Sequence, residues 1–350
     1  RSDPPMSWLG FELDLGGPMP AGAWTASELL VELGLGPLVA LIAPRPLRRE
    51  VECLPPRALD RLDAWSPGRP RMGAFFRAWA PDEPGLRELL LARPEVLRCW
   101  WDRPAWPCSV PPGSLAEGDG VLSRGDEHQE HLGPAPLGVD ARWAWSHARG
   151  QGVRFVDLET SWQPHRDLPP LPQPVPPGAK NLGRGLHGVR SLGTVLAATP
   201  GLGCMGVAPE AGLAGLASCA QEVPGVGLTE DFVADAIYAA RALLGVQLLL
   251  LEVQRAPGLP AESHPPDRVA IHEASRAGVL VVQPAGNAGV DLDLFEDPAC
   301  GERIFAAASP DSGAVMVGAR MPRTGEVVGN TGSRIDCWSW GHEVVTTGGV

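Results

Sequence analysis

Three polar residues, each beside an apolar segment, could together support acyl-transfer chemistry. Asp157 follows a short apolar run, His187 opens an apolar helical stretch, and Asn287 lies in a turn next to glycine. An imidazole can accept and return a proton, a carboxylate can orient the imidazole, and an amide N–H can stabilise an oxyanion. The sequence therefore predicts a hydrolytic site in which Asp157 orients the ring, His187 is the general base and then the general acid, and Asn287 binds the oxyanion.

Each of the three residues also has a simpler explanation. An Asp after a strand is often a turn or cap residue, a His before Gly is often structural, and Gly286-Asn287 is a good turn sequence. His187 differs in one respect, because the positive end of a helix dipole favours the neutral imidazole that a general base requires. The functional interpretation depends on the order and spacing of the three residues and on the elements around them.

Strands and helices alternate from residue 136 onward. The predicted strands are 153–156, 213–217, 247–253, 279–283 and 314–319, and the predicted helices are 187–198, 230–244 and 268–277. This alternation predicts an α/β domain over 136–350, with a parallel twisted sheet and helices on both faces. Ligands of such sheets bind at the carboxyl ends of the strands, where we expect Asp157, Glu252 and Asn287.

Two regions precede this domain. Residues 1–103 combine a strand-like run at 36–51 with a strand–helix–strand pattern at 72–101, which predicts a small α+β domain. Residues 104–135 are rich in Pro, Gly and acidic residues, which predicts a linker. His128 and His131 could ligate a metal ion, but with no other ligand cluster nearby we interpret them as part of a solvated linker, and no metal site is predicted.

Composition argues against several other functions. The net charge of −12 disfavours a nucleic-acid partner, because phosphate binding needs clustered Lys and Arg. The longest nearly apolar run, 242–251, is about half of what a membrane span requires. The seven cysteines form no C-x-x-C pair, which excludes a zinc knuckle and a thioredoxin motif. We expect neither a nucleic-acid nor a membrane partner, and the compartment, secreted or cytoplasmic in a bacterium, stays open.

Six segments, in order along the chain, resemble the motifs of the subtilisin-like serine peptidases. They are Gly152–Asp157, His165–Leu168, His187–Gly193, Gly206–Ala211, Val281–Asn287 and Asn330–Asp336. In that family the order along the chain is Asp, His, oxyanion Asn and Ser. The resemblance covers residues 137–350 and implies a subtilisin-like fold and a serine endopeptidase acting on polypeptides. It implies no cofactor, and it leaves calcium open without an assignable site.

The same resemblance implies a substrate groove and a role for the N-terminal region. An extended polypeptide would lie against Glu252, Val253 and Gln254 and near Ala285 and Gly286. A carboxylate at that groove, from Glu252, leads us to expect a preference for basic substrate side chains. The small α+β domain resembles the propeptide of the family, an inhibitory folding chaperone, so the precursor would be a zymogen.

The sequence departs from the family near the proposed acid and base. Asp157-Leu158-Glu159 stands where the family has Asp-Thr-Gly, so Glu159 adds a second carboxylate nearby. Val189 stands where the family has Thr after His-Gly. Neither change removes a proton-carrying group, but the loop around Asp157 must differ from that of the family.

A larger departure concerns the nucleophile. The Gly-Thr-Ser segment that should follow Thr346-Thr347 is not among the 350 residues, so we expect the serine beyond Val350 or on a second chain. Ser333 lies upstream of the position that the family uses. The alternative is a catalytically inactive pseudo-peptidase that acts as a peptide- or protein-binding module.

Overall fold

The computed structural model describes residues 6–15, 25–42, 45–51, 74–81, 84–102, 105–107, 128–198, 203–297, 301–305 and 311–348. The strands are β1 (Met6–Leu13), β2 (Leu47–Arg49), β3 (Phe75–Pro81), β4 (Val96–Trp101), β5 (Ala105–Pro107), β6 (Arg154–Glu159), β7 (Pro174–Val175), β8 (Gly212–Ser218), β9 (Gln221–Val223), β10 (Gly227–Thr229), β11 (Leu248–Leu251), β12 (Val253–Arg255), β13 (Leu259–Pro260), β14 (Leu280–Pro284), β15 (Val315–Arg320), β16 (Val327–Val328) and β17 (Cys337–Trp340). The helices are α1 (Ala26–Glu32), α2 (Gly36–Ile42), α3 (Pro84–Leu91), α4 (Ala141–Ala144), α5 (His187–Leu196), α6 (Val233–Arg241) and α7 (Pro265–Arg276). Across these ranges no helix combines the length and the apolar character that a bilayer crossing needs.

The N-terminal sheet has the strand order β2-β3-β1-β4, with every neighbouring pair antiparallel. Helix α1 begins at a capping box, in which the side chains of Thr25 and Glu28 accept from each other's backbone N–H groups. Apolar side chains of the sheet and helices, among them Leu9, Leu29 and Phe76, form one buried cluster. The predicted strand–helix–strand pattern is confirmed as β3, α3 and β4.

The strand-like run predicted at 36–51 is only partly a strand. Its first half forms helix α2, because Leu38 and Ile42, four residues apart, are both buried on one helical face. Only the short β2 at its end joins the sheet. Strand β1, which lies between β3 and β4, is an element that sequence reasoning missed.

The second sheet has the order β16-β15-β14-β11-β6-β8-β7, with β17 also paired to β15. All pairs are parallel except β15 with β16. Successive residues of β6 point to opposite faces. Phe155 packs with α5, whereas Val156 packs with α6 and α7. The predicted α/β architecture, a mainly parallel sheet with helices on both faces, is therefore confirmed.

Strand β5 joins the two parts of the chain. Its residues Ala105–Pro107 pair antiparallel with β12, which also pairs with β13. Residues 105–107 of the predicted linker are thus a strand, and 108–127 lie outside the described residues. His131 is buried and its ring lies 6.0 Å from that of Trp340, so the solvated setting expected for it is wrong.

A buried group of charged residues lies where the N-terminal sheet meets the remainder of the chain. We call it the interface cluster, and it consists of Glu50, Arg77, Asp102, Arg255, His264 and Asp267. Every side chain in the cluster is less than 5% exposed. The ion pairs run from Arg77 to Asp102 (3.3 Å), from Asp102 to His264 (3.0 Å) and onward to Asp267 and Arg255.

Candidate active site

The carboxyl end of β6 meets the beginning of α5. Because alternate residues of a strand share a face, Phe155, Asp157 and Glu159 point toward the side of the sheet that α5 covers. His187 is the first residue of α5, so its ring lies above the end of β6. Nδ1 of His187 contacts Oε1 of Glu159, and the His187 side chain is 23% exposed whereas that of Glu159 is completely buried.

Asp157 does not occupy the position predicted for it. Its Oδ2 accepts a hydrogen bond from Nε1 of Trp162 (2.7 Å), and the carboxyl is buried. Glu159, two residues further along the same face, reaches the histidine instead. The structure therefore brings Glu159, rather than the predicted Asp157, into contact with the ring of His187, since the last residue of β6 lies at the start of α5.

A third carboxyl group lies beside this pair. An oxygen of Glu252, an oxygen of Glu159 and a ring nitrogen of His187 all lie within 4.8 Å of one another. Glu252 follows β11, and its backbone N–H donates to the carbonyl of Leu158 in the neighbouring strand (3.1 Å). Its carboxyl faces the pair, so the structure gives no support to the expected pocket for basic substrate side chains.

Burial dominates the protonation of all three carboxyls. It raises the pKa of Glu252 from its ordinary 4.5 to about 7, with His187 opposing the shift and Glu159 adding to it. Burial also raises the pKa of Asp157 well above its ordinary value, and the Glu159 carboxylate adds to that effect. For Glu159 burial raises the pKa, and the attraction of His187 works against it. Burial therefore raises the pKa of all three carboxyls, and His187 opposes that effect.

The residues predicted to bind substrate lie at the same edge of the sheet. Val253 and Gln254 belong to β12, whose antiparallel neighbours are β13 and β5. The strand expected to hold a substrate is therefore paired with the chain's own residues 105–107. Ala285 and Gly286 continue from β14, which neighbours β11 in the sheet.

The turn that carries Asn287 is built for close backbone approach. Gly286 has φ +89°, and a Cβ there would lie 2.2 Å from the carbonyl oxygen of Gly258. The side chain of Asn330 braces the turn by donating to the carbonyls of Gly258 (2.9 Å) and Ala285 (2.7 Å). The backbone N–H of Asn287 donates to Oε1 of Gln254 (3.2 Å). Since β14, β11 and β6 are consecutive parallel neighbours, this turn shares an edge with Glu252 and Glu159.

Two observations bear on the nucleophile. The hydroxyl of Ser333 donates to Asp293 (2.7 Å), in a turn remote in sequence from α5. The hydroxyl of Thr347 donates to the carbonyl of Val189 (2.6 Å), and that of Thr346 donates to the carbonyl of Arg190 (3.0 Å). The chain at 346–347 therefore runs beside the first turns of the helix that begins with His187.

Comparison with solved structures finds proteases. The epidermin leader peptide processing serine protease (EpiP) from Staphylococcus aureus has a TM-score of 0.53 at 12% identity, over 96% of this chain and 75% of that chain. A protease from Pseudoalteromonas arctica has a TM-score of 0.47 at 21% identity, over 63% and 73% of the two chains. The MycP3 protease of the type VII (ESX-3) secretion system has a TM-score of 0.44 at 18% identity, over 69% and 71%. The similarity to EpiP shows that this fold occurs in a serine protease. The other two structures have lower TM-scores and carry no argument.

The family assignment made from sequence motifs is corrected by the other comparisons. No protein-family model matches the chain, and no curated protein matches it. The prediction that the chain is a subtilisin-like peptidase domain without its C-terminal serine segment is therefore wrong. The similarity to solved proteases is one of fold.

Proposed function

We propose that this protein is a serine peptidase in which Glu159 and His187 form the acid–base pair. The contact between Nδ1 of His187 and the buried Glu159 carboxyl carries the proposal. A carboxylate at Nδ1 fixes the tautomer of the ring and stabilises the imidazolium that forms during acyl transfer. The EpiP-like fold and the position of the pair at the carboxyl edge of a parallel sheet support it.

The proposed reaction uses the second ring nitrogen of His187. A serine hydroxyl attacks the substrate carbonyl while Nε2 takes its proton, and the same proton then goes to the departing amine. The Asn287 side chain stabilises the oxyanion of the tetrahedral intermediate. We propose that the serine belongs to a segment following the stretch at 346–347, or to a second chain, because that stretch already lies beside α5. The mechanism requires no cofactor.

We also propose that the N-terminal region inhibits the site until it is displaced. A polypeptide substrate would pair with β12 as an added strand, using the edge that β5 occupies. The region would then act as a propeptide, and its release would expose the groove formed by Val253, Gln254, Ala285 and Gly286. The pairing of β5 with β12 is the observation that supports this role.

Covalent labelling tests the proposed function. The longest natural form of the protein is treated with a biotinylated fluorophosphonate, and the labelled residue is identified by mass spectrometry. We expect one labelled serine in the wild type and no labelling in His187→Ala. An unlabelled wild type that still binds extended peptides would favour the inactive binding module, and labelling that persists in His187→Ala would contradict the assignment of the base.

A further inference from the structure

Three carboxyl groups, two of them buried and that of Glu252 half-buried, lie near His187. Asp157 and Glu159 are completely buried, and Glu252 lies within 4.8 Å of the Glu159–His187 pair. The ion pair that the structure records at this site joins Glu159 to His187. A buried carboxylate is stabilised by a cation close to it.

The interface cluster shows the contrast. There Glu50, His264 and Asp267 also place ligand atoms within 4.8 Å of one another. The guanidinium of Arg77 contacts Glu50, and that of Arg255 lies 2.7 Å from Asp267. That group contains two arginines as balancing cations, whereas among the described residues the recorded ion-pair partner at the other site is His187.

An unused buried oxygen points to a ligand at the site at His187. Oε2 of Glu159 is buried and makes no hydrogen bond to any described residue, and the same holds for Oδ1 of Asp157. The hydroxyl of Ser191 lies beside the Glu159 carboxyl and donates to the carbonyl of His187 (3.1 Å). Both oxygens belong to side chains that are 0% exposed.

We propose that Glu159, His187 and Glu252 bind a divalent transition-metal ion of the zinc class. Tetrahedral zinc, with bonds of about 2.0–2.2 Å, places its ligand atoms roughly 3.3–3.6 Å apart. The candidate ligand atoms of these three side chains lie within 4.8 Å of one another. The imidazole favours zinc over calcium or magnesium, which prefer oxygen ligands alone. The partial exposure of His187 leaves an approach from solvent.

Metal binding would compete with proton transfer at His187. An ion held by the ring and both glutamates would keep His187 from acting as a base, so zinc would inhibit the peptidase. Only this inhibitory consequence rests on the proposed function. The binding itself is a property of the chain and is measured without any substrate.

Calorimetric titration of the purified chain with zinc chloride tests the site. We expect one zinc ion bound in the wild type, at least about tenfold weaker binding in the isosteric variant Glu252→Gln, and a similar loss in His187→Ala. Calcium and magnesium chloride should give no comparable binding. The seven cysteines can also bind zinc. The readout is therefore the difference in zinc affinity between the wild type and each variant, and not the total zinc bound.

Glu210→Gln is the matched control, since Glu210 forms a surface ion pair with Arg149 (2.7 Å) away from the site. It should bind zinc like the wild type, and circular dichroism should show every variant folded. Equal zinc affinity in wild type, Glu252→Gln and His187→Ala would overturn the proposal, as would a folded wild type that binds no zinc. If the protein binds zinc but fluorophosphonate does not label it, the proposed peptidase function is wrong and the metal site stands. If fluorophosphonate labels it but it binds no zinc, only the metal site is wrong.

Discussion

At the scale of single residues, two positions along β6 decide which carboxyl meets the histidine. Asp157 and Glu159 share a face of the strand, but Asp157 accepts from the indole of Trp162 and Glu159 contacts His187. A buried carboxyl that accepts from an indole is held in place by that bond and by packing. Glu159, two residues further along the strand, is therefore the carboxyl that we propose orients the ring.

The contact between Glu159 and His187 should have a spectroscopic signature. A proton on Nδ1 that donates to a buried carboxylate makes a strong, charge-assisted hydrogen bond, and burial slows its exchange with water. We therefore expect a strongly downfield imidazole proton in the one-dimensional NMR spectrum of the wild type. Glu159→Gln should remove that signal, because the amide is a weaker acceptor. Asp157→Asn is the control and should keep it. A signal lost in Asp157→Asn but kept in Glu159→Gln would show that Asp157 is the orienting acid.

Sequence reasoning predicted Asp157 as the orienting acid, and the structure places Glu159, two residues further along, against His187. The order of acid, imidazole and amide, together with strand and helix periodicity, placed all three at one edge of the sheet. It chose Asp157, although Glu159 has the same chemistry and lies on the same face of the strand. That choice depends on the rise and packing of α5 against β6, which are tertiary properties. The alternation of side chains along the strand is the signal that could have made Glu159 a second candidate.

At the scale of elements, the interface cluster holds the N-terminal sheet against the rest of the chain. Arg77 in β3 reaches Glu50, which follows β2, and Asp102, which follows β4. Asp102 in turn pairs with His264, just before α7. Since the groups are buried, loss of one partner leaves a charge with neither water nor a counterion.

Replacing Arg77 should destabilise the protein strongly. Arg77→Met leaves two buried carboxylates, Glu50 and Asp102, without their guanidinium, and we expect a loss of about 3–5 kcal/mol in the free energy of unfolding. The matched control is Arg98→Met, which breaks a partly exposed pair with Glu12 (2.7 Å) and should cost within about 1 kcal/mol. Urea unfolding measures both. Similar small losses in the two variants would mean that the interface cluster contributes little.

The same cluster predicts a dependence of stability on pH. It contains three carboxylates and two guanidiniums, so a protonated His264 completes the charge balance. Burial and Arg255 oppose the charge on His264, but Asp267 and Asp102 outweigh them and raise its pKa above the ordinary 6.5. The stabilisation is therefore complete below the unfolded value and is lost as pH rises through the higher folded value.

Urea unfolding across a pH series measures this effect. The stability difference between wild type and His264→Gln should be largest below about pH 6.5 and should shrink at alkaline pH. His147→Gln, at an exposed histidine, should follow the wild type throughout. A difference that grows with rising pH would contradict a buried histidine cation.

The elements themselves were predictable to different degrees. The alternating segments after residue 136 were predicted correctly because buried parallel strands and amphipathic helices have distinct periods. The run at 36–51 was misread because apolar residues at short spacing satisfy both a strand and a helix, and α2 lies in its first half. Strand β5 was read as linker, since its pairing depends on β12, which is remote in sequence.

At the scale of the whole molecule, the N-terminal region covers the groove that a substrate would need. Strand β5 pairs with β12, and the interface cluster fixes the sheet that leads into β5. A weakened cluster should therefore loosen the cover over the site. This arrangement links the stability of the N-terminal region to the accessibility of the proposed active site.

The most direct test of the acid–base pair is the rate of peptide hydrolysis by the longest natural form of the protein. Peptide cleavage is measured for the wild type, Glu159→Gln and Asp157→Asn, each checked for folding. We predict that Glu159→Gln lowers kcat/KM by about ten-thousandfold, since the ring loses the carboxylate that sets its tautomer, while Asp157→Asn lowers it by less than about tenfold. Full activity in Glu159→Gln, or its loss in Asp157→Asn alone, would contradict the account.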